Sequence, residues 1–268
     1  DKDGYTELGM LENLSFGTNI FYNIDNRNKI NVEYHTTNED RRGGNKLDLQ
    51  PHKSDICEMT KHQIHSLNAN YNYVSLDGKN RLNTYFSTQY IDRDSYYGAY
   101  QDPNAYGHTT DLTLLAGAMA LHKLDKLFFA SADITYGVEY SSNSLDDIFE
   151  AYNIRTKQTA NVIGAYAQSE WKSKKLNLLL GARLDKHNLL SSPVIAPRIN
   201  ILYKPLESLQ LRASYSSGYR APQVYDEDLH ITQVGGKSVR TQLAKDLRPE
   251  YSHSASLSAD YYVQVNDN

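Results

Sequence analysis

The stretch that decides the fold is Phe128-Phe129-Ala130-Ser131-Ala132-Asp133-Ile134-Thr135-Tyr136-Gly137-Val138-Glu139-Tyr140. Phe128, Ala130, Ala132, Ile134, Tyr136, Val138 and Tyr140 alternate with Ser131, Asp133, Thr135 and Glu139. Period two places one set on each face of a β-strand. The same pattern recurs in Ile30, Val32 and Tyr34, in Leu209, Leu211, Ala213 and Tyr215, and in Tyr251, Ala255, Leu257, Ala259, Tyr261 and Val263. Some of these runs reach about 13 residues and exceed the ~5–6 usual for strands of soluble proteins. They match the ~9–11 residues of a tilted strand that crosses a bilayer. The apolar phase of such a strand faces lipid and the polar phase faces a lumen.

Working outward, eleven strands are expected, at 12–23, 28–39, 62–75, 81–93, 109–124, 127–141, 158–172, 176–187, 196–204, 209–217 and 250–264. Short turns (Asp25–Asn28, Leu76–Asn80, Asp125–Lys126, Ser173–Lys175, Pro205–Ser208) take turns with long connections (Asp40–Lys61, Asp94–Thr109, Ser142–Lys157, Asn188–Ile195, Gly218–Arg248). Short turns on one rim and long loops on the other mark an antiparallel transmembrane β-barrel. Tyr22, Tyr73, Trp171 and Tyr203 lie just before short turns and Phe128 just after one, where an aromatic girdle belongs. A soluble sandwich and a propeller are the competing all-β architectures, but both use shorter strands. An odd strand count, and a last segment ending where a short turn would fall, point to residues 1–268 being a fragment of a single barrel domain, with a plug domain and closing strands absent.

The composition excludes several classes. Among 268 residues, 28 are Lys or Arg and 32 are Asp or Glu, a net charge of −4, so a basic nucleic-acid platform is not expected. No apolar run approaches the ~20 residues of a membrane helix, and Leu112–Leu121 is the longest weakly polar stretch. One Cys excludes an intrachain disulfide, and Cys57, in an expected loop without neighbouring ligands, reads as inert. Catalytic motifs such as Gly-x-Ser-x-Gly or His-Glu-x-x-His do not occur, and no enzymatic activity is expected. Asp146-Asp147 and Asp226-Glu227-Asp228 read as solvated loop acids. Asp92, Asp94, Asp102, Asp111 and the 226–228 cluster supply enough oxygens for a loop calcium ion if the loops converge. His62 and His65, three apart on a strand, fall on opposite faces and cannot clamp one metal.

Residues 181 to 252 carry a family resemblance. Gly181-Ala182-Arg183-Leu184-Asp185, Pro197-Arg198 with Tyr203, Gly218-Tyr219-Arg220-Ala221-Pro222, and Leu247-Arg248-Pro249-Glu250 with Ser252 follow one another at hairpin spacing. In this order they resemble the barrel signatures of TonB-dependent outer-membrane receptors, with a style similar to those of Bacteroidetes. The resemblance implies a bacterial outer-membrane location with lipid around the wall. It implies an internal plug pulled by TonB and uptake of a small nutrient chelate: siderophore iron, cobalamin or haem. The cargo would bring iron or cobalt; no resident cofactor is implied. Arg183 and Arg198 are expected to pair with plug or barrel acids, and Arg220 and Pro222 to end a strand rather than touch cargo. In the longest connection, Tyr225, Asp226, Asp228 and His230 are the candidate ligand contacts, with Gly235-Gly236 as a hinge. A His in this loop ligates iron in some haem receptors. Ala244-Lys245-Asp246-Leu247 departs from the usual Asn-Pro-x-Leu of those receptors, which favours a siderophore or cobalamin. The alternative is a non-transporting outer-membrane barrel, an adhesin or porin-like channel.

Overall fold

The structure is a computed structural model and describes residues 8–149, 154–224, 232–233, 237–238, 244 and 246–263. One antiparallel sheet holds β1 (Met10–Asn23), β2 (Asn28–Gly44), β3 (Ile56–Val74), β4 (Asn80–Ala99), β5 (Tyr106–Leu127) and β6 (Ala130–Phe149). It continues through β7 (Ile154–Lys172), β8 (Leu176–His187), β9 (Val194–Leu206), β10 (Leu209–Arg220) and β13 (Glu250–Tyr261). The short β11 (Thr232–Gln233) and β12 (Lys237–Ser238) pair with each other. Each of the eleven strands lies beside its sequence neighbour in this sheet, the meander expected of a barrel wall.

The burial pattern inverts that of a soluble sheet. On β6, Tyr136, Val138 and Tyr140 are exposed, while Gly137 and Glu139 between them are half-buried. The register carries this face across the sheet: Val32, Ala69, Phe86, Ala116, Tyr140 and Ile163 form one continuous row. β10 and β13 pair as the alternation predicts, with Leu209 opposite Tyr261, Ala213 opposite Leu257 and Tyr215 opposite Ala255. The other phase of these strands (Arg212, Ser214, Ser256, Ser258) lines a recess with Glu170 and Asn200. An apolar face this broad, on a single sheet, requires an apolar solvent outside it.

The strand count matches the sequence reading; the lengths do not. β3 to β7 run 19, 20, 22, 20 and 19 residues, about twice what a bilayer needs. The connections expected at Asp94–Thr109 and Ser142–Lys157 are therefore largely strand, and that at Asp40–Lys61 is half strand. Their polarity suggested loops because both faces lie above the lipid. The backbone ladders continue there regardless, tied by cross-strand pairs such as Lys61 with Asp40 at 2.8 Å. Asp146 and Asp147 are strand residues for the same reason. Asp146 accepts two hydrogen bonds from Arg155, at 2.8 and 2.7 Å, and these hold its carboxyl down at about 2. A carboxyl depressed in the folded state stabilises above its ordinary value near 3.8 and loses that contribution as pH falls toward 2. Amide protection, corrected for intrinsic exchange, is thus expected to fall around Asp146 and Arg155 between about pH 4 and 2 in wild type, and the Asp146→Asn variant to lack this acid-linked step.

Two further expectations are corrected. The turn placed at Asp125–Lys126 falls instead at Phe128–Phe129, because an irregularity between Leu124 and Leu127 shifts the register so that Leu127 pairs with Ala130. Phe128 sits in that turn with φ 58°, and both rings lie beside Trp171, at 6.4 and 6.2 Å between centroids. Cys57 is not in a loop but in β3, fully buried with Met59, Tyr96 and Ala105. Burial pushes its thiol up, consistent with an inert side chain.

Candidate functional site

The chemistry of this sheet is on its inner face. Two adjacent rows set large polar residues beside glycines, and the first alternates them strictly. The first runs Tyr85, Gly117, Glu139, Gly164, Asp185 across β4 to β8. The second runs Gly137, Tyr166, Arg183 across β6 to β8. The glycines are needed for space. A Cβ on Gly117 would lie 2.4 Å from the Tyr85 ring, and one on Gly164 would lie 2.3 Å from the Asp185 carboxylate. The tyrosines fold over the glycines and cover the exposed ladder.

Within this space a polar network closes. The Tyr85 hydroxyl donates to Glu139 Oε2 at 2.6 Å. Arg183 donates through Nη2 to Glu139 Oε1 at 2.9 Å and through Nε to Asp185 Oδ1 at 2.7 Å. Its guanidinium lies 6.0 Å from the Tyr166 ring centroid, at the outer limit of a cation–π contact. Gly181, Arg183 and Asp185 are thus one unit: Gly181 admits Gln168, whose Cβ would be 2.7 Å from an added methyl, and the other two form the ion pair. Arg183 pairs with barrel acids as expected. Arg198 has no acid at ion-pair distance among the described residues; it stands across from Gly181 and Ser216.

Higher on the same face, Arg93 donates to Thr109 Oγ1 at 2.9 Å, and Thr109 donates to Asp147 Oδ1 at 2.6 Å. Asp111 is buried and accepts from Asn143 at 2.8 and 2.9 Å and from Thr113 at 3.1 Å. Of the acids expected to pool around one calcium ion, the described ones fall in separate places, and Asp226, Glu227 and Asp228 lie outside the described residues. Asp111 belongs to the inner wall, Asp92 and Asp94 share the opposite face of β4, and Asp102 turns its own loop by accepting from the Asn104 amide. His62 and His65 stand on opposite faces, as spacing requires: His62 opposite Glu39, and His65 opposite Thr36 with Nδ1 2.8 Å from the Tyr34 hydroxyl.

The two signature segments around the longest connection prove to be one element. Gly218 pairs with Ser252, Tyr219 with Tyr251 and Arg220 with Glu250, so β10 ends at Arg220 opposite the residue that opens β13 after Pro249. Ala221 is buried against Leu190 and Val194, and Pro222 carries the chain off the ladder. The chain is then held against the inner wall. Gln158 donates to the Val224 carbonyl at 3.1 Å and accepts from the Val224 amide at 3.0 Å, while His187 Nε2 lies 3.3 Å from Gln223 Oε1. Tyr225, Asp226, Asp228 and His230 lie outside the described residues, as do Gly235 and Gly236.

The comparison with known families decides the rest. Residues 4–267 match the family model described as TonB dependent receptor-like, beta-barrel. The chain belongs to the TonB-dependent receptors. No curated protein sequence matches. Among solved structures, the siderophore receptor PirA from Pseudomonas aeruginosa superposes with a TM-score of 0.71 at 13% identity, over 95% of this chain and 44% of that one. The copper transporter OprC gives 0.71 at 12% identity, over 96% and 45%. The ferric citrate transporter FecA in its unliganded form gives 0.62 at 11% identity, over 95% and 41%. At such identities the likeness is one of fold, and the chain spans less than half the length of these structures. The TonB-dependent receptor barrel is an outer-membrane structure, and the outward face of this one is apolar.

The sequence reading named Gly181, Arg183 and Asp185 and put Glu139 on the polar face, but missed Tyr85 and Tyr166. The available signal was glycine at inward-phase positions 117, 137, 164 and 181, one in each of four consecutive strands.

Proposed function

We propose that this barrel is the wall of a receptor that imports a scarce nutrient chelate across the outer membrane, powered by TonB acting through a plug domain. The observation that carries the proposal is the inner wall. Its charged groups are ordered by glycine-made space into a closed network, which presents a firm polar surface to whatever fills the lumen. A second feature agrees: Val224, at the start of the longest connection, is clamped by Gln158 on that same wall. Loops on a rigid scaffold are where recognition usually sits. Tyr225, Asp226 and Asp228 are the proposed contacts to a ferric siderophore or cobalamin. His230 is the proposed iron ligand should the cargo be haem, acting through a neutral imidazole.

The test is titration of the full-length receptor with ferric siderophores, cobalamin and haem, followed by uptake in cells with and without TonB. The Asp226→Ala/Asp228→Ala variant is expected to weaken siderophore or cobalamin binding at least tenfold, and His230→Ala to leave it unchanged. A loss with His230→Ala alone moves the assignment to haem. Equal affinity in all three proteins removes this loop as the site. Uptake that persists without TonB overturns the transport mechanism in favour of a passive barrel.

A further inference from the structure

On the outer face of β4, directly beyond the apolar stripe Phe86, Thr88 and Tyr90, stand Asp92 and Asp94; His108 of β5 faces Asp94 across the ladder. One ligand atom from each of the three lies within 4.8 Å of the others. His108 Nδ1 is 2.8 Å from Asp94 Oδ1 and 3.8 Å from Asp92 Oδ1. Neighbouring acids on this face have cations of their own: Asp40 holds Lys61 at 2.8 Å, and Asp146 holds Arg155 at 2.7 Å. Lys61 is the register partner of Asp94, yet its ammonium is spent on Asp40, and Arg93 reaches the other face, toward Thr109. Tyr90, on the same stripe, offers only a hydroxyl 3.5 Å from Asp92. Two carboxylates therefore share one imidazole. The local balance lacks positive charge.

We propose that Asp92, Asp94 and His108 bind a divalent transition-metal ion of the zinc class on the outer wall, where the β4–β5 hairpin leaves the lipid. An imidazole nitrogen with two carboxylates suits zinc and its neighbours in the first row. Calcium takes six to eight oxygens, more than these side chains offer. Ligand atoms around a tetrahedral zinc at about 2.1 Å lie roughly 3.4 Å apart, between the closest contact here and the widest, so small side-chain rotations close the site. The donors sit on paired strands, whose spacing the register fixes, rather than on a mobile loop. The ion would cross-link the two strands and leave its outward positions to water.

The experiment titrates untagged full-length receptor in detergent with zinc chloride, reading displacement from a chromogenic zinc indicator. Wild type is expected to bind one more equivalent at micromolar or tighter affinity than His108→Ala, and Asp92→Asn/Asp94→Asn to weaken this site at least tenfold. His122→Ala, at the opposite end of β5, serves as the control and should match wild type. Millimolar calcium should not compete. Heat-modifiable gel mobility reports whether each variant is folded; if the double Asp variant is not, His108→Ala decides alone. Identical zinc stoichiometry and affinity in wild type and His108→Ala overturns the proposal, as does competition by calcium at equal concentration.

Discussion

Replacing Gly137 by valine is expected to cost the barrel about 3 kcal/mol, at the upper end of what overpacking does. The reason lies in what surrounds this α-carbon. An added Cβ would fall 2.6 Å from the Ala118 carbonyl oxygen and 2.7 Å from the Tyr166 ring. A ring tip can swing away, but the carbonyl belongs to the β5–β6 ladder and cannot move without breaking pairing on both sides. Displacing Tyr166 also removes the ring beneath Arg183, so the ion pairs with Glu139 and Asp185 lose their packing. Folded receptor, measured as the heat-modifiable fraction in outer membranes, should drop severalfold. Gly43→Ala is the matching control, since nothing lies within 4 Å of its Cβ position, and its effect should stay within about 0.5 kcal/mol. Wild-type levels of folded Gly137→Val would mean that the wall tolerates the side chain and that the tyrosine–glycine rows are incidental.

The fold was legible because one rule dominates a barrel wall. Lipid on one side and a lumen on the other force strict alternation, and Ile134, Tyr136, Val138 and Tyr140 display it without interference from a second packed layer. Register follows from the same rule, since a one-residue slip between β10 and β13 would turn Leu257 inward. Legibility ended where lipid ended. Above that level both faces are wet, alternation vanishes, and Asp40, Asp94 or Asp146 look like loop residues although the ladder runs on beneath them. The Phe128–Phe129 turn misled for the opposite reason: two aromatics extend an apolar run through a reversal that the interface near Trp171 tolerates. Of the inner wall, the sequence exposes the charged members but not their partners. Glu139 and Arg183 are 44 residues apart in the chain, and only the register of β6, β7 and β8 brings them to 2.9 Å.

Arg183→Leu is expected to destabilise the receptor by about 2 kcal/mol, and the argument turns on what remains after the guanidinium is gone. Glu139 and Asp185 would then face each other across Gly164 as two carboxylates without a cation, with side chains only 24% and 9% exposed. Breaking a fully buried pair costs about 3–5 kcal/mol. Arg183 is itself about one-third exposed, at 32%, so water screens part of the imbalance and the lower figure applies. Leucine ends well short of the guanidinium position and donates nothing, whereas Arg183→Lys keeps the charge and loses the fork that reaches both acids at once. The lysine variant should therefore recover part of the loss. Glu139→Gln should be mild, because Arg183 keeps Asp185 and the amide still accepts from Tyr85. Combining Arg183→Leu with Glu139→Gln removes one of the stranded charges, so the double variant should be more stable than Arg183→Leu alone, with a coupling of about 1 kcal/mol in the cycle. Strict additivity of the two changes would show that the residues do not act together. The stabilisation would then rest on the β-ladder and the lipid-facing rows, with the inner network contributing a polar surface and no measurable strength.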